Sequence, residues 1–111
     1  MQQVLQHRTI ETTWKNLTFA QQMANIGSEV ERAINWKEKN NHKFSQKAFF
    51  RALELFDLTL ASTKQLPVLT EVSRSKEVFA DFFWGNNQYN STKEVWQKYF
   101  RAFNYLARKN V

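Results

Sequence analysis

Residues 18–40 run Thr18-Phe19-Ala20-Gln21-Gln22-Met23-Ala24-Asn25-Ile26-Gly27-Ser28-Glu29-Val30-Glu31-Arg32-Ala33-Ile34-Asn35-Trp36-Lys37-Glu38-Lys39-Asn40, and this stretch decides the fold class. Thr18 with Gln21 three residues later is a capping box, in which each side chain satisfies the other residue's backbone N–H. Leu17 stands in front as a staple residue. At 100° per residue, Phe19, Met23, Ile26, Val30, Ala33 and Ile34 fall on one face about 100° wide, the stripe of an amphipathic helix. Asn40-Asn41-His42 then reads as a turn or cap. Gly27 lies at the edge of the apolar face. A glycine inside a helix costs about 0.5–1 kcal/mol relative to Ala, so its presence points to close contact with a second helix.

The same periodicity recurs outward from this segment. A second helix is predicted over about 42–62, with Phe44, Ala48, Ala52, Leu55, Phe56, Leu58 and Thr59 inward and a wide apolar arc extended by Phe49, Leu53 and Leu60. Pro67 suits the first turn of a third helix over about 67–84. Val68, Val72, Phe79 and Phe83 line that helix, and Gly85 fits a left-handed cap behind Trp84. Ser91 and Glu94 form a second capping box ahead of a fourth helix over about 92–108, striped by Val95, Tyr99, Ala102, Phe103 and Leu106. Helices of this length measure about 25–35 Å at 1.5 Å per residue. Short connections between them predict an all-α, antiparallel four-helix bundle. Residues 1–17 are irregular in pattern and form an arm docked by Trp14 and Leu17. The 111 residues make one domain.

Composition excludes other classes. The chain has 10 Phe, 4 Trp and 3 Tyr but only 2 Gly, 1 Pro and no Cys. Disulfide scaffolds and cysteine–zinc sites are thereby ruled out. Tight-turned β-sandwiches are disfavoured, because their turns consume Gly and Pro. No apolar run approaches the length of a transmembrane helix. Met1–Arg8 has neither a long apolar core nor a small-residue cleavage site, so no signal peptide is expected and the reading is cytoplasmic, with no membrane partner.

The formal charge of +6 is uneven. Lys37, Lys39, Lys43, Lys47 and Arg51 face only Glu38 within 36–51. Lys93, Lys98, Arg101, Arg108 and Lys109 face only Glu94 within 93–111. Clustered cations suit an acidic partner, nucleic acid included, and equally a solvated surface.

Candidate chemistry is sparse. Metal-binding bundles use Glu-x-x-His pairs, and neither His7 nor His42 sits three residues after a Glu, so no metal and no cofactor is expected. Without a nucleophile placed beside a histidine base, no catalytic residue is assigned. Two clusters are candidates for binding. On the outer side of the fourth helix, Lys98, Arg101, Tyr105 and Arg108, with Asn104 nearby, interleave cations with an aromatic ring, a pattern that serves phosphate contact and base stacking and also arises on any solvated helix. Charged residues on or near apolar faces form the second. Arg51, Lys76 and Glu29, with Glu54, Asp57 and Asp81 as the other available carboxylates, make either a polar cleft between helices or a structural ion-pair network.

Three segments prompt a family resemblance: Asn25-Ile26-Gly27-Ser28-Glu29-Val30-Glu31-Arg32-Ala33, Arg51-Ala52-Leu53-Glu54-Leu55-Phe56-Asp57-Leu58-Thr59, and Trp96-Gln97-Lys98-Tyr99-Phe100. With the Cys-free, mildly basic helical pattern, they resemble the HEPN superfamily of small prokaryotic helical proteins. The resemblance implies the fold. Many HEPN ribonucleases carry an Arg followed after four to six residues by a His, and no Arg here stands in that relation to His7 or His42. What it implies is a non-catalytic version that binds or docks a partner.

The resulting expectation is a non-enzymatic bundle acting through protein–protein contact as a homodimer. Its motive is a surplus of rings: Trp36, Phe49, Phe50, Trp84, Trp96 and Phe100 exceed what narrow stripes need, and aromatics are enriched at interfaces. The alternative is a HEPN-like RNA-binding protein, ribonuclease or toxin–antitoxin component, carried by Arg51, Lys98, Arg101 and Arg108.

Overall fold

The computed structural model describes residues 12–109. Over these residues the chain is helical with no strand. A short helical segment at 12–15 leads into α1 (Phe19–Glu38), α2 (His42–Ala61), α3 (Leu66–Phe83) and α4 (Lys93–Lys109). Each helix end lies within a residue or two of its predicted place. Of the arm, residues 1–11 lie outside the described residues.

The capping box opens α1 as its sequence requires: Gln21 N–H donates to Thr18 Oγ1 at 3.1 Å and Thr18 N–H to Gln21 Oε1 at 2.9 Å. The predicted face is the buried one, with Met23, Ile26, Val30, Ala33 and Ile34 in the core. At the other end the chain reverses through Asn40, whose φ of 60° is left-handed. Asn40 N–H reaches Lys37 O at 3.0 Å and Asn41 N–H reaches Trp36 O at 2.9 Å. Those two bonds are a Schellman closure. Asn41 then caps α2 by accepting from Phe44 N–H at 3.1 Å.

Contacts between helices are side-chain pairings. α1 meets α2 where Gln22 reaches Ser62 (3.3 Å) and where the Trp36 and Phe44 rings lie 5.0 Å apart. It meets α4 through Phe19–Phe103 (5.7 Å) and through Lys93 and Glu38 (2.8 Å). α2 meets α3 through Phe49–Phe83 (4.5 Å) and through Lys76 and Asp57 (2.6 Å). At Gly27, α1 admits the Phe100 ring of α4 closely: a Cβ there would stand 2.7 Å from Phe100 Cγ. Trp14 is buried, and its Nε1–H donates to Thr59 Oγ1 at 2.9 Å. Gln22 accompanies it in the core, its Nε2 donating to Trp14 O at 2.9 Å.

Three local expectations are corrected. Gly85 has no positive φ; the left-handed residues of that loop are Asn87 and Asn90, and Gly85 N–H still bonds back to Asp81 O at 3.0 Å. The cap of α4 is Thr92, which accepts from Val95 N–H at 3.2 Å, while Ser91 is buried and joined by two bonds to the Asn87 side chain. Phe49, Trp96 and Phe100 are not spare: all three are buried, and Phe100 is the ring that Gly27 admits.

Candidate functional site

The burial phase of α4 decides which side it offers to solvent. Trp96 and Phe100 are buried and Tyr99 and Phe103 half-buried, whereas Val95, Ala102 and Leu106 are exposed. The inward stripe is therefore rotated from the predicted one. Entry of Phe100 against Gly27 sets this rotation, because no bulkier contact would fit. Lys98, Arg101, Tyr105 and Arg108 are all left exposed, Tyr105 by 65%. Among the described residues no carboxylate lies within ion-pair range of Lys98, Arg101 or Arg108.

Arg101 also borders a groove of about 260 Å³ between α1 and α4. Gly27, Val30, Ile34, Trp96 and Phe100 form its floor; Ser28 and Glu31 stand on the α1 side, and Lys93, Gln97, Arg101 and Asn104 on the α4 side. The α4 positions succeed one another at four, four and three residues, which keeps them along one edge. The Glu38 carboxylate holds the Lys93 ammonium above its usual value by accepting its hydrogen bond. Trp96 Nε1 is a buried donor without a partner. A buried polar group left unpaired is costly, which makes it unusual.

On the other flank of α4, the Tyr99 hydroxyl donates to Glu71 Oε2 at 3.2 Å and lies 2.8 Å from Ser75 Oγ. Burial is the main reason its pKa is pushed up to about 12; the Glu71 charge adds to this and the Ser75 bond opposes it.

The other six candidates occupy separate places. Glu29 and Arg51 share a shallow groove of about 380 Å³ between α1 and α2, with Arg32, Trp36, Phe44 and Lys47. Glu29 is paired there with Arg32 at 2.7 Å, and Lys39 lies 5.3 Å from the Trp36 ring centre. Lys76 and Asp57 pair across α2 and α3. Asp81 accepts from Tyr89 N–H at 3.2 Å in the loop after α3, and Glu54 is exposed on α2.

At the end of α3 the stacked rings of the core reach the surface. Phe83 lies 4.5 Å from Phe49, Phe49 lies 5.5 Å from Trp84, and Trp84 lies 5.9 Å from Phe50. Phe50 is 51% and Trp84 57% exposed. Lys37 stands over the Phe83 ring at 4.7 Å and donates to Phe83 O at 2.7 Å.

No protein-family model, no curated protein and no solved structure matches this chain. Among the described residues no group of three or more His, Asp and Glu is placed to hold a metal ion, and no helix is long and apolar enough to cross a membrane.

The groove along α1 and α4 was not read from the sequence. Its signal was the polar series Lys93, Gln97, Arg101 and Asn104 at helical spacing beside a helix carrying an interior glycine. Of that series, the candidate face held only Arg101, with Asn104 noted beside it.

Proposed function

We propose that this chain is an antiparallel four-helix bundle with an irregular N-terminal arm, and that it acts without catalysis, through contact with another protein and as a homodimer. The side-chain pairings support the bundle. Residues 22 and 36 of α1 meet 62 and 44 of α2, residues 19 and 38 meet 103 and 93 of α4, and residues 49 and 57 of α2 meet 83 and 76 of α3. In every pair one numbering rises as the other falls.

The contact reading is carried by the Phe50–Trp84 pair. Single exposed apolar side chains are ordinary, but two large rings in contact, each more than half exposed and continuous with the core stack, form a patch of the kind that marks an interface. Light scattering on a sizing column tests it. The wild type elutes as a dimer, and the Phe50→Ala, Trp84→Ala double variant as a folded monomer. A wild type that stays monomeric at high concentration overturns the reading.

A second reading is favoured by the α4 face, where Lys98, Arg101 and Arg108 are exposed without an acidic partner around the exposed ring of Tyr105. It is a HEPN-like RNA-binding protein, ribonuclease or toxin–antitoxin component. Filter binding across a salt series tests it, because each neutralised phosphate steepens the salt dependence. No retention at low salt removes it.

A further inference from the structure

The shallow groove between α1 and α2 joins an apolar floor to charge of one sign. Trp36 of α1 with Phe44 and Ala48 of α2 form the floor, and Phe44 is 43% exposed. Arg32, Lys47 and Arg51 stand on the rims. Among the described residues the lining holds one carboxylate, Glu29, which is mostly buried and already bound to Arg32 at 2.7 Å. Lys43 lies one turn before Lys47, so α2 carries Lys43, Lys47 and Arg51 in a row at successive spacings of four. Like charges at that spacing destabilise a helix. Among the described residues no carboxylate lies within ion-pair range of these three, although Glu54 follows Arg51 by one turn. Nothing inside the monomer offsets the repulsion along this row.

These features define an occupant. It is acidic, because the rim cations offer donors without acceptors. It is a helix, because both walls are helices whose backbone groups bond internally: an extended segment would find no ladder there, whereas a helix satisfies its own backbone. Glu29 to Trp36 and Phe44 to Arg51 each span about 10 Å at 1.5 Å per residue, room for about two turns. The rings disfavour a nucleic-acid strand. Trp36 and Phe44 cross at 61° with centroids 5.0 Å apart, and Lys39 stands over the Trp36 ring at 5.3 Å. Stacked bases need a flat, free ring face, and crossed rings form a notch for an aliphatic side chain instead. A second copy of this chain is a poor occupant as well, since its formal charge is +6 and each of its four helices carries cations among its carboxylates.

We propose that the α1–α2 groove docks an acidic amphipathic helix of a protein partner, its aliphatic side chains against Trp36 and Phe44 and its carboxylates against Lys47 and Arg51. This rests on the reading that the chain acts through contact with another protein and gives that partner its chemistry. It does not use the Phe50–Trp84 pair, which lies on other residues.

The test is fluorescence anisotropy of a labelled peptide of about 15 residues, long enough to form a helix on binding, with Leu along one face and Glu on both sides of it. The full chain should bind it with a Kd below about 1 mM. A version with Lys for Glu, and one with Ala for Leu, should bind about tenfold more weakly, the scale of one charge-assisted hydrogen bond. Phe44→Ala should weaken the acidic peptide to a similar degree. The Lys47→Glu, Arg51→Glu double variant should lose the acidic peptide and prefer the Lys version, a reversal that a merely structural role of these exposed residues would not produce. Circular dichroism checks that each variant is folded. No binding at about 1 mM protein overturns the proposal, as does equal binding of the Lys version or by the groove variants. Single-stranded RNA whose binding falls about tenfold in Phe44→Ala would make the groove a nucleic-acid site and overturn it too. Light scattering on the same samples reads the dimer separately. Peptide bound by a strict monomer supports the groove while the dimer falls. Binding abolished by Phe50→Ala with Trp84→Ala, and not by the groove variants, overturns the groove while the contact reading stands.

Discussion

At Gly27 the smallest side chain sets the position of a whole helix. A Cβ there meets Phe100 Cγ, Cβ and Cδ1 at 2.7–2.9 Å, and Phe100 is itself buried, so it has little room to withdraw. Overpacking of this kind costs about 1–3 kcal/mol. Alanine's better helix propensity returns only about 0.5–1 kcal/mol. Gly27→Ala is therefore expected to lower the urea midpoint of unfolding, and an unchanged or raised midpoint would contradict the packing. A second residue-scale prediction concerns Thr59, fully buried and the acceptor for Trp14 Nε1–H at 2.9 Å. Thr59→Val keeps the shape but leaves a buried indole donor unpaired, at a cost of about 1–3 kcal/mol. Chemical unfolding followed by tryptophan fluorescence measures it. The two positions differ in legibility. Gly27 announces itself, because a glycine beside an apolar helical stripe needs a reason. Gln22 and Thr59 do not: their polar groups are satisfied by Trp14 O, Ser62 and Trp14 Nε1, partners outside their own helices.

The elements follow from local chemistry wherever a local rule governs. Thr18 and Gln21 cap α1 in the reciprocal way their spacing demands. Where two local rules compete, spacing does not choose between them: Ser91 and Thr92 are both able to cap α4, and the Asn87 side chain claims Ser91, leaving Thr92 for the helix. The phase of α4 is a tertiary outcome as well. Val95 fits an apolar stripe in sequence, yet the Gly27–Phe100 contact turns it out to 54% exposure. The turn at Asn40 gives an element-scale prediction. At φ 60° a Cβ-bearing residue without a compensating side chain is strained by about 1–2 kcal/mol. Asn40→Ala should destabilise by about that amount in thermal or urea unfolding, whereas Asn40→Gly should be neutral or stabilising. Equal effects of the two would show that handedness is not the determinant. The contact of α3 with α4 titrates. Tyr99 has its pKa raised from 10.0 to about 12, chiefly by burial. A raised value means that the fold favours the protonated phenol. Its contribution to stability is complete below pH 10 and is lost as pH climbs through about 12. Tyr99→Phe should flatten the alkaline loss of stability over that interval, read from melting curves alongside tyrosinate absorbance.

For the whole molecule, the distribution of charge makes the two functional readings respond oppositely to salt. Helix α2 places Lys47 three residues before Phe50, on the same side, and Lys37 stands over Phe83 next to the exposed ring pair. A two-fold contact is isologous, so each copy presents the same patch to the other. Centred on Phe50 and Trp84, it brings Lys47 and Lys37 of both copies together, with exposed Glu54 one turn beyond Phe50 offsetting part of that charge. Salt screens that repulsion, with a Debye length of about 10 Å at 0.1 M, and also strengthens apolar association when the anion is kosmotropic. Dimer formation should therefore tighten from low to moderate salt. A polyanion on Lys98, Arg101 and Arg108 does the reverse: counterions released by each neutralised phosphate return as salt rises, and affinity falls. Sedimentation of the protein alone and titration with single-stranded RNA, each run over one salt series, separate the two. A dimer that weakens with salt would mean that charge pairing rather than the Phe50–Trp84 rings holds it together. RNA affinity that does not change with salt would mean that the α4 cations do not touch phosphate.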